Sequence, residues 1–126
     1  MKTILIVEDN EKNMKLARDI LQVKGYRTIE AATGLAGLQA AQDEPPDLIL
    51  MDIQLPDISG IEVYARLRAD PMTARIPAIA FTASVTQADR SRITDAGFGG
   101  FLSKPINLKE FLQTIERVMA QASDED

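Results

Sequence analysis

Five residues that could do chemistry recur at one kind of place in this chain, the carboxyl end of an apolar run. Glu8-Asp9 closes Ile4-Leu5-Ile6-Val7, Asp52 closes Leu48-Ile49-Leu50-Met51, Thr82 follows Ala78-Ile79-Ala80-Phe81, and Lys104 follows Phe101-Leu102-Ser103. Short runs that are apolar throughout, instead of alternating, read as parallel strands covered on both faces. Open α/β sheets bind ligands outside the carboxyl ends of their strands, so three acids, one hydroxyl and one ammonium are expected at a single rim. Such a set can hold a divalent metal beside a phosphoryl group. Asp52 stands directly after a strand and before the loop Ile53-Gln54-Leu55-Pro56. That position suits a carboxylate nucleophile forming a mixed anhydride.

The elements that must position these residues alternate along the chain as strand and helix, the pattern of a doubly wound α/β domain. A first strand covers Thr3 to Val7, and Asn10 caps a helix reaching Val23, with Leu16, Ala17, Ile20 and Leu21 on its inner face and Gly25 stopping it. A second strand spans Arg27 to Glu30, Thr33 caps a short second helix, and Pro45-Pro46 breaks the chain before strand three. Ser59 caps a third helix whose Gly60, Val63, Tyr64 and Leu67 recur at helical spacing, and Pro71 and Pro77 bracket the loop into strand four. The fourth helix, Thr86 to Ala96, has the weakest apolar stripe, Ala88, Ile93 and Ala96, which makes it a candidate moving part. Asn107 caps the last helix, where Leu108, Phe111, Leu112, Ile115, Val118 and Met119 form one amphipathic face. Residues 1–122 read as one domain, with Ser123-Asp124-Glu125-Asp126 as a short acidic tail.

Right-handed crossovers can place such strands in the order 2-1-3-4-5, which makes strands one and three neighbours at the topological switch point. Glu8, Asp9 and Asp52 then converge. Carboxylates this close repel and raise one another's pKa unless a cation neutralises them, and Mg²⁺, which takes hard oxygen ligands and keeps several waters, suits the arrangement. Lys104 can supply positive charge and Thr82 a hydroxyl donor to phosphoryl oxygens. Lys104 is joined to Pro105, whose preceding peptide bond is open to the cis form.

Composition narrows the field. The chain has 126 residues, 45% apolar and 26% charged, which is a globular composition with enough length for a core. Its longest apolar run is far short of a membrane span, and Met1-Lys2 leads straight into a strand, so neither a membrane segment nor a signal peptide is expected. The absence of cysteine removes disulfides and thiolate metal sites and fits a cytoplasmic protein. The absence of histidine decides more, because it excludes a Ser-His-Asp triad, a histidine-ligated zinc and a phosphohistidine on this chain. A net charge of −5 argues against nucleic acid and for a protein partner.

The strings ILIVEDN, LILMDIQLPDISG, FTA and SKP, in this order and spacing, resemble the receiver domain of bacterial two-component response regulators, over about Lys2 to Met119. The resemblance implies a flavodoxin-like five-stranded parallel sheet in the order 2-1-3-4-5 with five helices. It implies that Asp52 accepts a phosphoryl group, that Glu8 and Asp9 organise Mg²⁺, and that the backbone carbonyl of Gln54 completes the metal shell. Thr82 and Lys104 match the residues that bind phosphoryl oxygens, and Phe101 matches the aromatic switch. The stretch VEDNEKNMKLARDILQVKGY and the loop MDIQLPDISG are similar to stand-alone DivK-type regulators and to receivers attached to hybrid kinases. Leu55 stands where many receivers carry methionine, and Gln54 and Ser84 flank the site at positions that tune dephosphorylation. The donor implied is the phosphohistidine of a histidine kinase or histidine phosphotransferase, or a small phosphodonor. The response implied is a changed contact with an output protein at the face of the fourth helix, fifth strand and fifth helix, including Arg90, Arg92, Phe101 and Ile106.

Two other classes compete with this reading. A Mg²⁺-dependent phosphohydrolase with an aspartyl nucleophile usually has a second aspartate two residues later, where this chain has Gln54. A flavodoxin-like FMN carrier needs a Ser/Thr/Gly-rich phosphate loop after strand one, where this chain has Glu8-Asp9.

Overall fold

A computed structural model describes residues 1–83 and 86–124, the last two of these by backbone only. The strands are β1 (Thr3–Val7), β2 (Arg27–Ala31), β3 (Leu48–Asp52), β4 (Ala78–Thr82) and β5 (Gly100–Ser103). They form one parallel sheet in the order β2-β1-β3-β4-β5. Between and after them run α1 (Glu11–Val23), α2 (Gly34–Asp43), α3 (Gly60–Ala69), α4 (Gln87–Asp95) and α5 (Leu108–Asp124). The order and the element count agree with the sequence reading.

The continuous apolar runs follow from covering both faces. Successive strand residues point to opposite sides. Leu5, Val7, Ile49, Met51, Ala78 and Ala80 therefore face one layer, where they pack with Val63, Tyr64 and Leu67 of α3 and with Ile93. Ile4, Ile6, Leu48, Leu50, Ile79, Phe81 and Leu102 face the other, against Met14, Ala17 and Leu21 of α1 and Phe111, Ile115 and Val118 of α5. Neither face of β1, β3 or β4 is left to water. Apart from Thr3 at the start of β1, polar side chains on those strands stand at the carboxyl ends.

Each expected cap is formed, the side chains of Asn10, Thr33, Ser59 and Asn107 accepting from the backbone N–H groups of Asn13, Ala36, Ile61 and Glu110 respectively. Thr86, read from sequence as the first residue of the fourth helix, is instead its cap and accepts from the Asp89 N–H. Each satisfies one of the N–H groups that a helix start leaves without an intrahelical partner.

The helix faces need three corrections. Leu16 is 46% exposed, and Met14 takes the inward place in α1, because the buried phase is Met14-Ala17-Leu21 and Leu16 lies a quarter-turn or more away from it. Leu108 is in phase with Phe111 and Ile115 but is 56% exposed, since it opens α5 at the rim, beyond the end of β5. In α4, Ala88 is exposed and the stripe contracts to Ile93, with Ala96 half-buried. A further boundary moves. α5 continues through Ser123 and Asp124 instead of ending at residue 122, while Glu125 and Asp126 of the expected tail lie outside the described residues, as does Ser84.

The far end of α4 is held from α3. The Arg68 guanidinium lies 5.6 Å from the centroid of the Tyr64 ring and 3.5 Å from the carbonyl oxygen of Gly97, just past α4, while Tyr64 stacks on Phe98 at 4.6 Å. At the other end of the chain's chemistry, Gly60 starts α3 directly beneath Asp52. Its N–H donates to the Ile53 carbonyl at 3.0 Å, and a Cβ on Gly60 would sit 2.2 Å from the Asp52 carbonyl oxygen. Because the obstacle is backbone, it cannot swing aside. Gly60→Ala is expected to destabilise the fold by about 1 to 3 kcal/mol, the range for forcing atoms into packed space, and a lower midpoint of urea unfolding checks it.

Candidate functional site

The strand register brings the acids together. Val7 pairs with Met51 across β1 and β3, so the residues that follow them, Glu8 and Asp52, emerge side by side at the rim. Glu8 and Asp52 are both buried, Asp9 is exposed, and one carboxylate oxygen from each of the three lies within 4.8 Å of the others. Lys104 arrives from the end of β5. Its Nζ is 3.1 Å from Asp52 Oδ2, a hydrogen bond, and 2.7 Å from Glu8 Oε1, an ion-pair contact without hydrogen-bond geometry. The same ammonium lies 5.0 Å from the centroid of the Phe81 ring. Lys104 is tied by its backbone as well, its N–H donating to the Thr82 carbonyl at 2.9 Å, and the Lys104-Pro105 peptide bond is cis. The second oxygen of Asp52, Oδ1, accepts from the backbone N–H of Gln54 at 3.0 Å.

Electrostatics follow from this packing. Burial pushes the Asp52 carboxyl up to about 6, and the neighbouring Glu8 adds to the rise, while the Gln54 N–H and the Lys104 charge pull the other way. Burial also works against the Lys104 ammonium, but the two carboxylates outweigh it and its pKa is raised. Both Glu8 oxygens are buried and neither accepts a hydrogen bond. The Lys104 ammonium offsets part of the cost of burying that carboxylate, but one ammonium among three acids leaves the cluster net negative. The donor set is therefore all oxygen, hard and under-neutralised, with one member open to solvent, and these properties fit a magnesium ion that retains waters.

Thr82 ends β4, buried next to this group, with Phe81 paired to Asp52 across the sheet. Phe101 is half-buried on β5 at the level of Ala80, with the Arg90 guanidinium 5.1 Å from its ring centroid. Arg90 and Arg92 are exposed on α4, with Arg92 also paired to Asp89 at 3.6 Å. Ile106 is half-buried between β5 and α5. Of the residues singled out from sequence, Glu8, Asp9, Asp52 and Lys104 are thus in one cluster and Thr82 flanks it, whereas Phe101, Arg90 and Arg92 lie apart along α4 and β5. Sequence reasoning gave Gln54 a role through its carbonyl and missed its N–H contact with Asp52. It also missed Asp57, whose carboxylate accepts from Gly34 N–H and Leu35 N–H at 2.8 Å each. The Pro56-Asp57 pair in the loop was a turn signal, but nothing local pointed to the partner helix.

A sheet of this order with an acid cluster and a lysine at its carboxyl rim is the architecture of a receiver-type signalling domain. The chain belongs to the response regulator receiver domain family, whose model matches residues 4–116. It is 46% identical over 121 residues to the polar-differentiation response regulator DivK of Brucella ovis, covering 96% of this chain and 98% of that one. The same figures hold for DivK of Brucella melitensis. Among solved structures, a CheY-like receiver domain protein from Methanospirillum hungatei matches with a TM-score of 0.91 at 28% identity, over 100% of this chain and 99% of that one. The receiver domain of a sensor histidine kinase from Pseudomonas aeruginosa, solved with a magnesium ion coordinated in its active-site cleft, matches with a TM-score of 0.87 at 34% identity, over 94% and 98% of the two chains.

The raised pKa of Asp52 has a testable sign. Its value of about 6 lies above the ordinary 3.8, so the stability contributed by the protonated form is fully present below pH 3.8 and is lost as the pH rises through about 6. Without metal, Asp52→Asn, a neutral isostere, is expected to be more stable than the parent at pH 7.5 by about 1 to 3 kcal/mol. Urea unfolding in the presence of a chelator checks this, and the two stabilities should converge below pH 4.

Proposed function

We propose that Asp52 accepts a phosphoryl group from the phosphohistidine of a histidine kinase or histidine phosphotransferase in a Mg²⁺-dependent reaction, and that the protein signals by a changed contact with another protein. The observation that carries this reading is the buried Asp52, hydrogen-bonded to Lys104 at 3.1 Å and grouped with Glu8 and Asp9 within 4.8 Å. In the metal-free site burial raises the Asp52 carboxyl to about 6, which still leaves it mostly ionised at neutral pH. An Asp52 carboxylate oxygen forms the new O–P bond as the N–P bond to the donor imidazole breaks. The imidazole nitrogen keeps the electron pair, and Asp52 is left as an acyl phosphate. With no histidine in the chain, that imidazole comes from a partner.

Glu8, Asp9, Asp52 and the Gln54 carbonyl would hold Mg²⁺. The ion, when bound, supplies charge neutralisation on the phosphoryl oxygens. Lys104 orients the phosphoryl group from β5, and Thr82 receives another of its oxygens. Drawing Thr82 and Lys104 toward the new charge biases α4 and β5, with Phe101 turning as the switch and Arg90, Arg92 and Ile106 presenting the output face. A bias of a few kcal/mol is enough to exchange two such states. The reaction is confined to the protein's own aspartate. The identity and near-complete overlap with polar-differentiation response regulators support a stand-alone DivK-type role. Among the described residues no helix is long and apolar enough to cross a membrane, and a cytoplasmic site of action is part of this proposal.

Incubation with Mg²⁺ and acetyl phosphate should add one phosphoryl mass, and Asp52→Ala should abolish the addition. An acid-stable modification on a serine or threonine would overturn the aspartyl assignment. Mg²⁺ affinity should fall in a Glu8→Gln, Asp9→Asn double variant, and in the parent as the pH drops below about 6, because protons then compete for Asp52. Titration followed by amide spectra reads both. In Lys104→Ala, phosphorylation-dependent amide shifts should shrink in α4 and β5 while persisting around Asp52. Full-size shifts at Phe101 would show that the lysine does not drive the switch.

A further inference from the structure

The loop between β3 and α3 carries Gln54, whose N–H holds Asp52 Oδ1 at 3.0 Å. That loop is fixed from below by Gly60, packed on the Asp52 carbonyl. Its outer side is fixed by something else. Asp57, exposed and three residues beyond Gln54, reaches across to the start of α2, where Oδ1 accepts from Gly34 N–H and Oδ2 from Leu35 N–H, both at 2.8 Å. Ile58, the next residue, meets Gly34 so closely that a Cβ there would lie 2.7 Å from Ile58 Cγ1. The chain just before α2 is in turn joined to the other half of the site, because the Glu8 N–H donates to the Ala31 carbonyl at 3.0 Å. Residues 31–35 therefore bridge Glu8 to the Gln54 loop.

We propose that Asp57 is a positioning residue, which clamps the phosphoacceptor loop to the start of α2 and so keeps the Gln54 backbone and Asp52 in register with Glu8 for metal and phosphoryl binding. The proposal rests on the reading of the acid cluster as a Mg²⁺ site. The argument is geometric. Two bonds to consecutive N–H groups fix both position and orientation, where one bond would leave a pivot. The bonds show in the Asp57 carboxyl itself, which the Leu35 N–H holds down at about 2 against the opposing effect of desolvation, with the Gly34 N–H adding to the lowering. It is therefore charged at all ordinary pH values. Thr33 caps α2 from within the chain before it, accepting from Ala36 N–H at 3.0 Å, whereas Asp57 takes two further N–H groups of the same turn from a distant loop. Asp57 adds a connection between two segments 22 and 23 residues apart in sequence.

Thr33 supplies the control. Thr33→Ala and Asp57→Ala each remove a cap from the same helix and should each lower the urea midpoint, but Asp57→Ala alone releases the loop. In Asp57→Ala, exchange of the Gln54 amide hydrogen in metal-free protein should quicken, and the Mg²⁺ dissociation constant should rise, each by about tenfold, the lower end of the effect seen when groups that orient metal ligands are removed. Thr33→Ala should leave both within about twofold of the parent, on the scale of a change that touches no partner of the ligands. Asp57→Asn keeps one acceptor oxygen and should fall between, and it replaces the alanine variant if that variant does not fold. Unchanged Gln54 exchange and Mg²⁺ affinity in the Asp57 variants, or equal losses in Thr33→Ala, would overturn the proposal. Neither measurement uses phosphorylation, so failure of Asp52 to accept a phosphoryl group would be seen separately.

Discussion

Two carboxylates buried side by side, Glu8 and Asp52, set the terms for everything else at this rim. Like charges in a medium of low polarisability cannot both remain ionised without a cation close by. The fold answers with Lys104, delivered from the opposite edge of the switch-point pair by β5 and touching both acids. The answer is incomplete, because one ammonium faces a cluster of three acids and the Glu8 oxygens accept no hydrogen bond. What makes the sheet order matter is this charge balance. β1 and β3 must be adjacent for the acids to meet, and β5 must lie on the β4 side so that a long, flexible lysine can reach back over Phe81. A shift of one residue in any of these registers would send a charged end residue into the opposite apolar layer.

The sequence was most readable where burial and local chemistry coincide. Ile4-Leu5-Ile6-Val7 and Leu48-Ile49-Leu50-Met51 are apolar throughout because both faces of a central strand are covered, and that alone locates the acids that follow. Caps such as Asn10 and Asn107 were readable because donor and acceptor lie three residues apart. Helix phase was harder. In α1, Leu16, Ile20 and Val23 make a stripe about as good as Met14, Ala17 and Leu21, and only the sheet beneath decides between them. Asp57 was unreadable for a different reason. Its partners are main-chain N–H groups, which every residue but proline owns, so no side-chain pattern at Gly34 or Leu35 advertises the contact. Gly60 likewise reads as an ordinary helix start, and its lack of a side chain gains meaning only once α3 lies against the Asp52 carbonyl.

The helices over the sheet are unequal in how firmly they are held. α1 and α5 each bury three large or well-fitted side chains in one cluster, whereas α4 commits Ile93 and little more. Free energy of local displacement follows the apolar surface that must be uncovered, so the elements around the site differ in stiffness before any ligand arrives. The acid cluster is framed by the stiff part. The arginine-bearing surface of α4 belongs to the compliant part.

That compliance is not uniform along α4. Ile93 and the Gly97-Phe98 segment beyond it are pinned, the first by the core and the second by Arg68 and Tyr64 of α3, while Thr86 to Arg92 present mostly exposed side chains. A rod buried more firmly near one end than at the other does not slide. Any displacement of it would be a swing about the firmer end, largest at the tip nearest β4 and the acids. α4 is in this sense a lever whose fulcrum lies on α3, so that any displacement at its Thr86 end would tilt the surface carrying Arg90 and Arg92.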